Sequence, residues 1–282
     1  MLPRTRAQLI TDLRRLGLAP GDLVMVHASV RSVGPVLGGP DEIHQAIVDA
    51  VSPGGTMVML IGAPNGFDDV GRDILSPEEE AQILEHLPPF DKQATRANRD
   101  VGTLAEFFRS WPGTVMSDSV AVRLGARGAR AGWFVADHPN DWPFGKRTPF
   151  EKLVTANGKL LLLGSDPDEV TLLHHAESIA DFPDKIVRTF SVPVMENGNR
   201  VWLQCREYDS SNGAHKNWSA RQFAEITEAF IARFAGTPAC ASGKVGNSDS
   251  TLLAVPAFIA FAVAMMEQVA RRPTGRTRPP DA

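Results

Sequence analysis

One run of four leucines constrains this chain more than any other feature. Residues 159 to 164 read KLLLLG, and no polar residue alternates into the run. A strand with one wet face alternates; an unbroken apolar run fits a strand covered on both faces, as in a sheet between layers of helices. The neighbouring segments support that reading. Residues 6 to 16 have helical spacing, DLVMVHA (22–28) reads as a strand, and GPDEIHQAIVDAV (39–51) reads as a helix. Asp41 and Glu42 fall in that helix's first turn, where negative charge is favoured. After an SPGG turn, TMVMLIG (56–62) is the next strand; TLAEFFRSW is helical, SVAVRLG (119–125) is a strand, and TPFEKLVTA is a helix. The expected fold class is α/β: a single compact domain over residues 1–270 with a central mixed, mostly parallel sheet covered by helices.

The last third changes character. RTFSVPV and RVWLQCREY flank ENGN, whose Asn-Gly pair marks an antiparallel hairpin appended to the sheet. SARQFAEITEAFIARF is a long amphipathic helix with Ser219 as its expected cap. LLAVPAFIAFAVAMM reads as a strand end followed by a buried helix from Pro256, and is shorter than the ~20 residues a membrane crossing needs. Residues 271–282 form a basic, proline-rich tail expected to be disordered.

Composition excludes several classes. With 282 residues, 43% of them hydrophobic, the chain can bury a sizeable core. A net charge of −4 gives no support to nucleic-acid or anionic-membrane binding. Cys205 and Cys240 form no CxxC pair and cannot build a disulfide framework, and since residues 1–18 carry arginines through an amphipathic pattern and not an apolar signal core, no targeting segment is expected. A cytoplasmic protein is expected.

Three segments could carry chemistry. KLLLLG hands over to VTLLHHAESIAD (170–181), where His174 and Glu177 stand three apart on one helical face. A carboxylate beside an imidazole fixes its tautomer and stabilises the imidazolium formed when it takes a proton. The same spacing also suits an ordinary surface pair. A metal reading finds little support, because His174 and His175 point about 100° apart on a helix and HHAE is not HExxH; no metal is expected. The second segment, VHASVRSVGPVLGGPDEI (26–43), offers hydroxyls, an arginine, glycines and a helix start, a combination suited to an anion such as a phosphate. The third, residues 66–91, carries eight acids against Arg72, and a further acidic group stands at Glu207 and Asp209. Such a run is a solvated loop or the wall of a cleft for a polycation. Together the three suit an anionic acyl donor, a polycationic amine acceptor, and a base between them.

These residues resemble the aminoglycoside 3-N-acetyltransferases. VHASVRSVGPVLGGPDEI is similar to that family's opening strand, loop and helix, and GKLLLLG followed by TLLHHAES to its core strand and catalytic helix; SPGGTMVM, LPPFD, FGKRTPFEKLV, EYDSSNG and GKVGNSDSTLLA extend the likeness over about residues 8 to 270. The resemblance implies acetyl transfer from acetyl-CoA to the 3-amino group of a 2-deoxystreptamine ring; a monomer or homodimer is expected. It implies that His174 is the general base, that Glu177 orients it, and that Thr171 lies near the thioester. Ser29, Val30, Arg31, Ser32, Val33 and Gly34 would hold the CoA phosphates or pantetheine. Asp68, Asp69, Glu207, Tyr208 and Asp209 would bind the cationic sugars, and His175 would be packing or pocket wall. An acetyl-CoA-dependent transferase acting on another amine, or a silent binding protein for a polycation, is the alternative.

Overall fold

The computed structural model describes residues 2–65, 70, 75–210, 215 and 217–271. The chain opens with α1 (Arg6–Leu16), β1 (Leu23–Ala28), the one-turn α2 (Val30–Val33), α3 (Asp41–Val51) and β2 (Thr56–Leu60). There follow α4 (Pro77–His86), α5 (Thr103–Ser110), β3 (Val115–Met116), β4 (Leu124–Gly128), α6 (Ala131–Val135), α7 (Pro149–Thr155) and β5 (Lys159–Leu163). The last part holds α8 (Leu173–Ile179), β6 (Val187–Glu196), β7 (Asn199–Tyr208), α9 (Gln222–Phe234), β8 (Cys240–Val245), β9 (Ser248–Ala254) and α10 (Val255–Ala270).

Seven strands form one sheet in the order β3-β4-β2-β1-β5-β9-β8. The four-leucine strand lies near its middle, paired parallel with β1 and antiparallel with β9. Leu160 and Leu162 face the cluster under α6 to α10, whereas Leu161 and Leu163 face the cluster under α1, α3 and α5. Burial on both sides is why no polar residue alternates into the run. β1 behaves likewise: Leu23 and Met25 go to the first cluster, Val24 and Val26 to the second.

The sheet is mixed, as expected, but parallel pairing joins only β2, β1 and β5. The outer strands pair antiparallel, so the mostly parallel character holds at the centre and not at the edges. One reason is β8 and β9, a hairpin turning at Gly246-Asn247 that periodicity had not revealed.

Two local expectations are corrected. The strand placed at SVAVRLG begins only at Leu124. Serine hydroxyls fold the chain before it: Ser117 Oγ accepts from Leu124 N at 2.9 Å and Ser119 Oγ from Val122 N at 3.3 Å. Val120 and Val122 are buried, but in a loop, so their spacing of two imitates a strand. Ser219 does not cap α9, which starts at Gln222; its hydroxyl donates to Glu225 Oε1 instead. The cap comes from another segment, as Asp168 Oδ1 accepts from Ala224 N at 2.9 Å.

β6 and β7 pair over ten positions around Asn197-Gly198, both at positive φ, as a tight hairpin requires. The hairpin covers a small third cluster with Phe190, Val192 and Cys205. Among the described residues no helix is long and apolar enough to cross a membrane. The tail beyond Arg271 lies outside the described residues.

Candidate active site

α8 is aimed by the end of β5. Gly164 ends the strand at positive φ, where a Cβ would collide with Ser32 and Ser248. Asp166 then caps a 3₁₀ turn, Pro167–Glu169, by accepting from Asp168 N at 2.9 Å. The Thr171 carbonyl accepts from His174 N at 3.1 Å, and the helix begins. Leu173 and Ala176 enter the core, which leaves His174 and Glu177 together on the adjoining face.

There, His174 Nδ1 and Glu177 Oε2 are 2.7 Å apart. Glu177 is sealed, with 3% of its side chain exposed, against 31% for His174. Its other oxygen accepts from Gln222 Nε2 at 2.9 Å. A carboxylate only accepts, so the imidazole proton sits on Nδ1 and Nε2 is left as a free base. Phe144 and Phe223, each with its ring centroid 4.8 Å away, fix the ring plane, and Ser210 Oγ lies 3.3 Å from Nδ1. This arrangement can accept a proton and hold the resulting charge.

Two cavities meet beside that histidine. One, of about 400 Å³, is lined by His174, Phe144, Gln222, Arg188 and the end of β7. The other, of about 450 Å³, lies over the carboxyl ends of β1 and β5, the usual ligand position in an α/β sheet. They share Leu60, Asp100, Val101, Glu169 and Thr171 as a common wall. Thr171 therefore stands at the passage between them, 9% exposed.

The candidate donor loop is brought in only in part. Ser29, Val30 and Arg31 line the second cavity, while Ser32, Val33 and Gly34 do not. Ser32 holds the loop: its Oγ lies 3.2 Å from Gly164 O and 3.0 Å from Ser29 Oγ. Val33 is fully buried in the core. On the acidic side, Glu207, Tyr208 and Asp209 all line the first cavity. Glu207 is not a bare anion, because Arg188 Nη1 lies 3.4 Å from its Oε1. Tyr208 stacks on Trp142 at 4.8 Å. Asp68 and Asp69 lie outside the described residues; the nearby Val70 is held to Arg188 Nη2 at 2.5 Å through its carbonyl.

Other groups at the site had escaped the sequence reading. Gln222 lies 45 positions from the carboxylate it holds, and no local pattern announces it. Asp100 and Glu169 come from separate 3₁₀ turns, and only the fold sets them in one wall. Burial, then the charges of Asp166, Asp168 and Asp100, raise the Glu169 carboxyl above its ordinary value. His27 lines the second cavity from the end of β1.

The remaining histidines near the site serve the scaffold. His175 is buried, held by Phe144 O at 2.7 Å, and its protonation is disfavoured by burial. His138, pushed down to about 4 by burial, sits between Ser117 Oγ and Pro143 O. Among the described residues no group of three metal-ligating side chains converges.

Comparison with known proteins gives one consistent result. A family model described as aminoglycoside 3-N-acetyltransferase matches residues 25–267. The chain is 37% identical to aminoglycoside N(3)-acetyltransferase III of Pseudomonas aeruginosa over 94% of each chain. It is 35% identical to aminoglycoside N(3)-acetyltransferase IX of Micromonospora chalcea over 96% of each. Among solved structures, the binary complex of AAC-IIIb with CoASH superposes with a TM-score of 0.87 at 40% identity, covering 97% of this chain and all of that one. Sisomicin-bound AAC-VIa superposes with a TM-score of 0.85 at 30% identity, covering 96% of this chain and all of that one.

Proposed function

The chain belongs to the aminoglycoside 3-N-acetyltransferase family, and from that premise we propose that it acetylates the 3-amino group of the 2-deoxystreptamine ring of aminoglycosides, with acetyl-CoA as donor and His174 as base. A cell producing it would be protected against the drugs it modifies. The observation that carries the reading is the 2.7 Å contact between His174 and Glu177 beside the wall that two cavities share.

The chemistry follows from that placement. A substrate amine in water is mostly protonated, and only the free amine attacks. The His174 Nε2 lone pair takes the proton, and Glu177 stabilises the imidazolium. The amine nitrogen then forms a bond to the thioester carbon, the oxygen carries the charge of the tetrahedral intermediate, and the carbon–sulfur bond breaks as the carbonyl reforms. The thiolate leaves as CoA and takes the proton that His174 holds, while the nitrogen gives up its second proton to water as the amide forms, so ammonium and acetyl-CoA become amide, CoA thiol and one released proton. Donor in the second cavity and acceptor in the first would meet at Thr171, whose hydroxyl suits the developing oxyanion.

Glu207 and Asp209, with Asp100 and Glu169 in the shared wall, supply negative charge for a polycationic acceptor. The donor's phosphates fit the outer side, near Ser29 and the exposed Arg31. A covalent acyl-enzyme has no support from the cysteines, since Cys205 and Cys240 are fully buried and line neither cavity.

The test is thiol release from acetyl-CoA with a panel of 2-deoxystreptamine drugs, wild type beside His174→Ala. Drug-dependent release by wild type, reduced about 10²–10⁴-fold in the variant, is expected. Near-normal turnover by His174→Ala would remove the base, and no release with any drug would point to another acceptor amine.

A further inference from the structure

Lys185 is a cation that the mechanism above leaves unused, and it joins the helix of the base to the wall of the acceptor cavity. It lies in the connector between α8 and β6, where Asp184 turns the backbone at positive φ. Its ammonium reaches back to the end of α8, donating to Ala180 O at 2.6 Å and to Ser178 O at 3.3 Å. The same ammonium lies 4.7 Å from the ring centroid of Tyr208, the last residue of β7, and 4.7 Å from that of Phe182. Tyr208 lines the acceptor cavity, and Lys185 does not.

Capping a helix does not by itself account for this placement. A lysine can cap a helix end from the surface, with its head in water. Lys185 is instead half-buried, and burial pushes its ammonium below the ordinary value while Asp181, Glu177 and Glu267 favour the charge. The burial brings it to the Tyr208 ring. A narrow cleft, with His174, Glu177, Ser178, Trp142 and Tyr208 in its lining, separates the base from that ring. Lys185 bridges two of those lining residues, Ser178 through its carbonyl and Tyr208 through its ring. Trp142 meets the same tyrosine with ring centroids 4.8 Å apart. It does so from a positive φ, uncommon for so bulky a residue, with its N–H donating to Arg206 O at 2.8 Å. Tyr208 is therefore held relative to the base by Lys185 and by Trp142.

We propose that Lys185 is a positioning residue for the acceptor, which locks the Tyr208 ring to the end of the helix that carries the base. The inference rests on the acetyl-transfer reading and adds to it a source of acceptor affinity. An ammonium is attracted by the negative face of an aromatic ring, more strongly where water is excluded. A ring held in this way is ready before the acceptor arrives, so binding does not have to order that part of the wall. No bond forms or breaks at Lys185, and its effect on the reaction passes through Tyr208.

The experiment compares wild type with Lys185→Met, Lys185→Gln, Lys185→Arg, Tyr208→Leu and the double variant of Lys185→Met with Tyr208→Leu. In the thiol-release assay Lys185→Met should raise the acceptor KM about 2- to 30-fold, the factor one cation–ring contact is worth, with kcat and the acetyl-CoA KM nearly unchanged. Lys185→Gln still donates to the α8 carbonyls and should show the same rise, so it decides the question if Lys185→Met melts too low to assay. Lys185→Arg keeps the cation and should recover most of the wild-type KM. Added to Tyr208→Leu, Lys185→Met should have no further effect, because the ring it acts through is gone. A fall in acceptor KM would show that the ammonium merely repels a polycation, and independent effects in the double variant would show that it bypasses Tyr208; either result overturns the proposal. A loss confined to kcat and melting point, the mark of a plain helix cap, overturns it too. Tyr208 is the single tyrosine of the chain, so protein labelled with fluorotyrosine gives one fluorine resonance with no substrate present. If wild type acetylates none of the drugs, the acceptor assignment falls and this resonance decides Lys185 separately. A line that broadens or splits in Lys185→Gln supports the lock, and a single line of wild-type width overturns it.

Discussion

Gln222 Nε2 sits 2.9 Å from Glu177 Oε1, so the first residue of α9 holds the carboxylate that faces His174 on α8. Both Glu177 oxygens are then engaged, and the carboxylate cannot turn away from His174. Glu177→Gln should lower kcat by about 10²-fold, because an amide does not stabilise the imidazolium. Gln222→Met, which keeps the volume, should lower it roughly 10-fold, the equivalent of one hydrogen bond to a charged group. Steady-state kinetics on both variants checks the order, and an unchanged kcat in Gln222→Met would show that the pair holds its geometry without the amide.

Glu169 stands in the wall shared by both cavities. Burial and then Asp166, Asp168 and Asp100 raise its carboxyl, so the folded state disfavours its charged form. That penalty is absent below the ordinary carboxylate value and appears as pH rises through the raised one. Glu169→Gln should therefore melt higher than wild type at neutral pH, with the gap closing in acid. The same change should raise the KM for a polycationic acceptor several-fold, since a bound ammonium relieves the repulsion that the variant no longer has. A melting gap that persists in acid would refute the electrostatic origin.

Glu106 has the opposite sign. Burial opposes its charge, but Arg109, the Ala97 N–H and Arg96 outweigh burial and hold the carboxyl down at about 2. Through Ala97 N, at 2.8 Å, it also fixes the loop that leads to Asp100. The stabilisation is present above the ordinary glutamate value and is lost as pH falls toward 2. Melting curves from neutral pH to pH 2.5 should show wild type well above Glu106→Gln at the start and converging at the acid end. Parallel curves would mean that the ion pairs add nothing.

Both thiols should be silent in the folded protein. Burial pushes Cys205 up to about 12 and raises Cys240 as well, so neither supplies thiolate near neutral pH. A disulfide reagent should label neither in native buffer and both after denaturation, which also leaves the thiol-release assay free of background. Rapid native labelling with loss of activity would reopen the covalent route.

How much of this was legible in the chain follows from the range of each interaction. The Leu160–Leu163 run announces a strand buried on both faces, and the three-residue spacing of His174 and Glu177 announces their contact, because neighbouring backbone geometry imposes both. Valine spacing misled at Val120 and Val122, where serine hydroxyls turned the chain and took over backbone partners that a strand would have used. Ser219 misled for a similar reason: Asp168, more than fifty positions away, reached the helix end first. Gln222 against Glu177, Asp100 beside Glu169 in one wall, and His27 in the lining of the second cavity belong to the tertiary structure. Each joins segments far apart in the chain, and their positions follow from which helix faces the sheet buries. The contact between His174 and Glu177 is written in the local sequence; the two cavities beside it exist only once distant segments are packed around the carboxyl ends of β1 and β5.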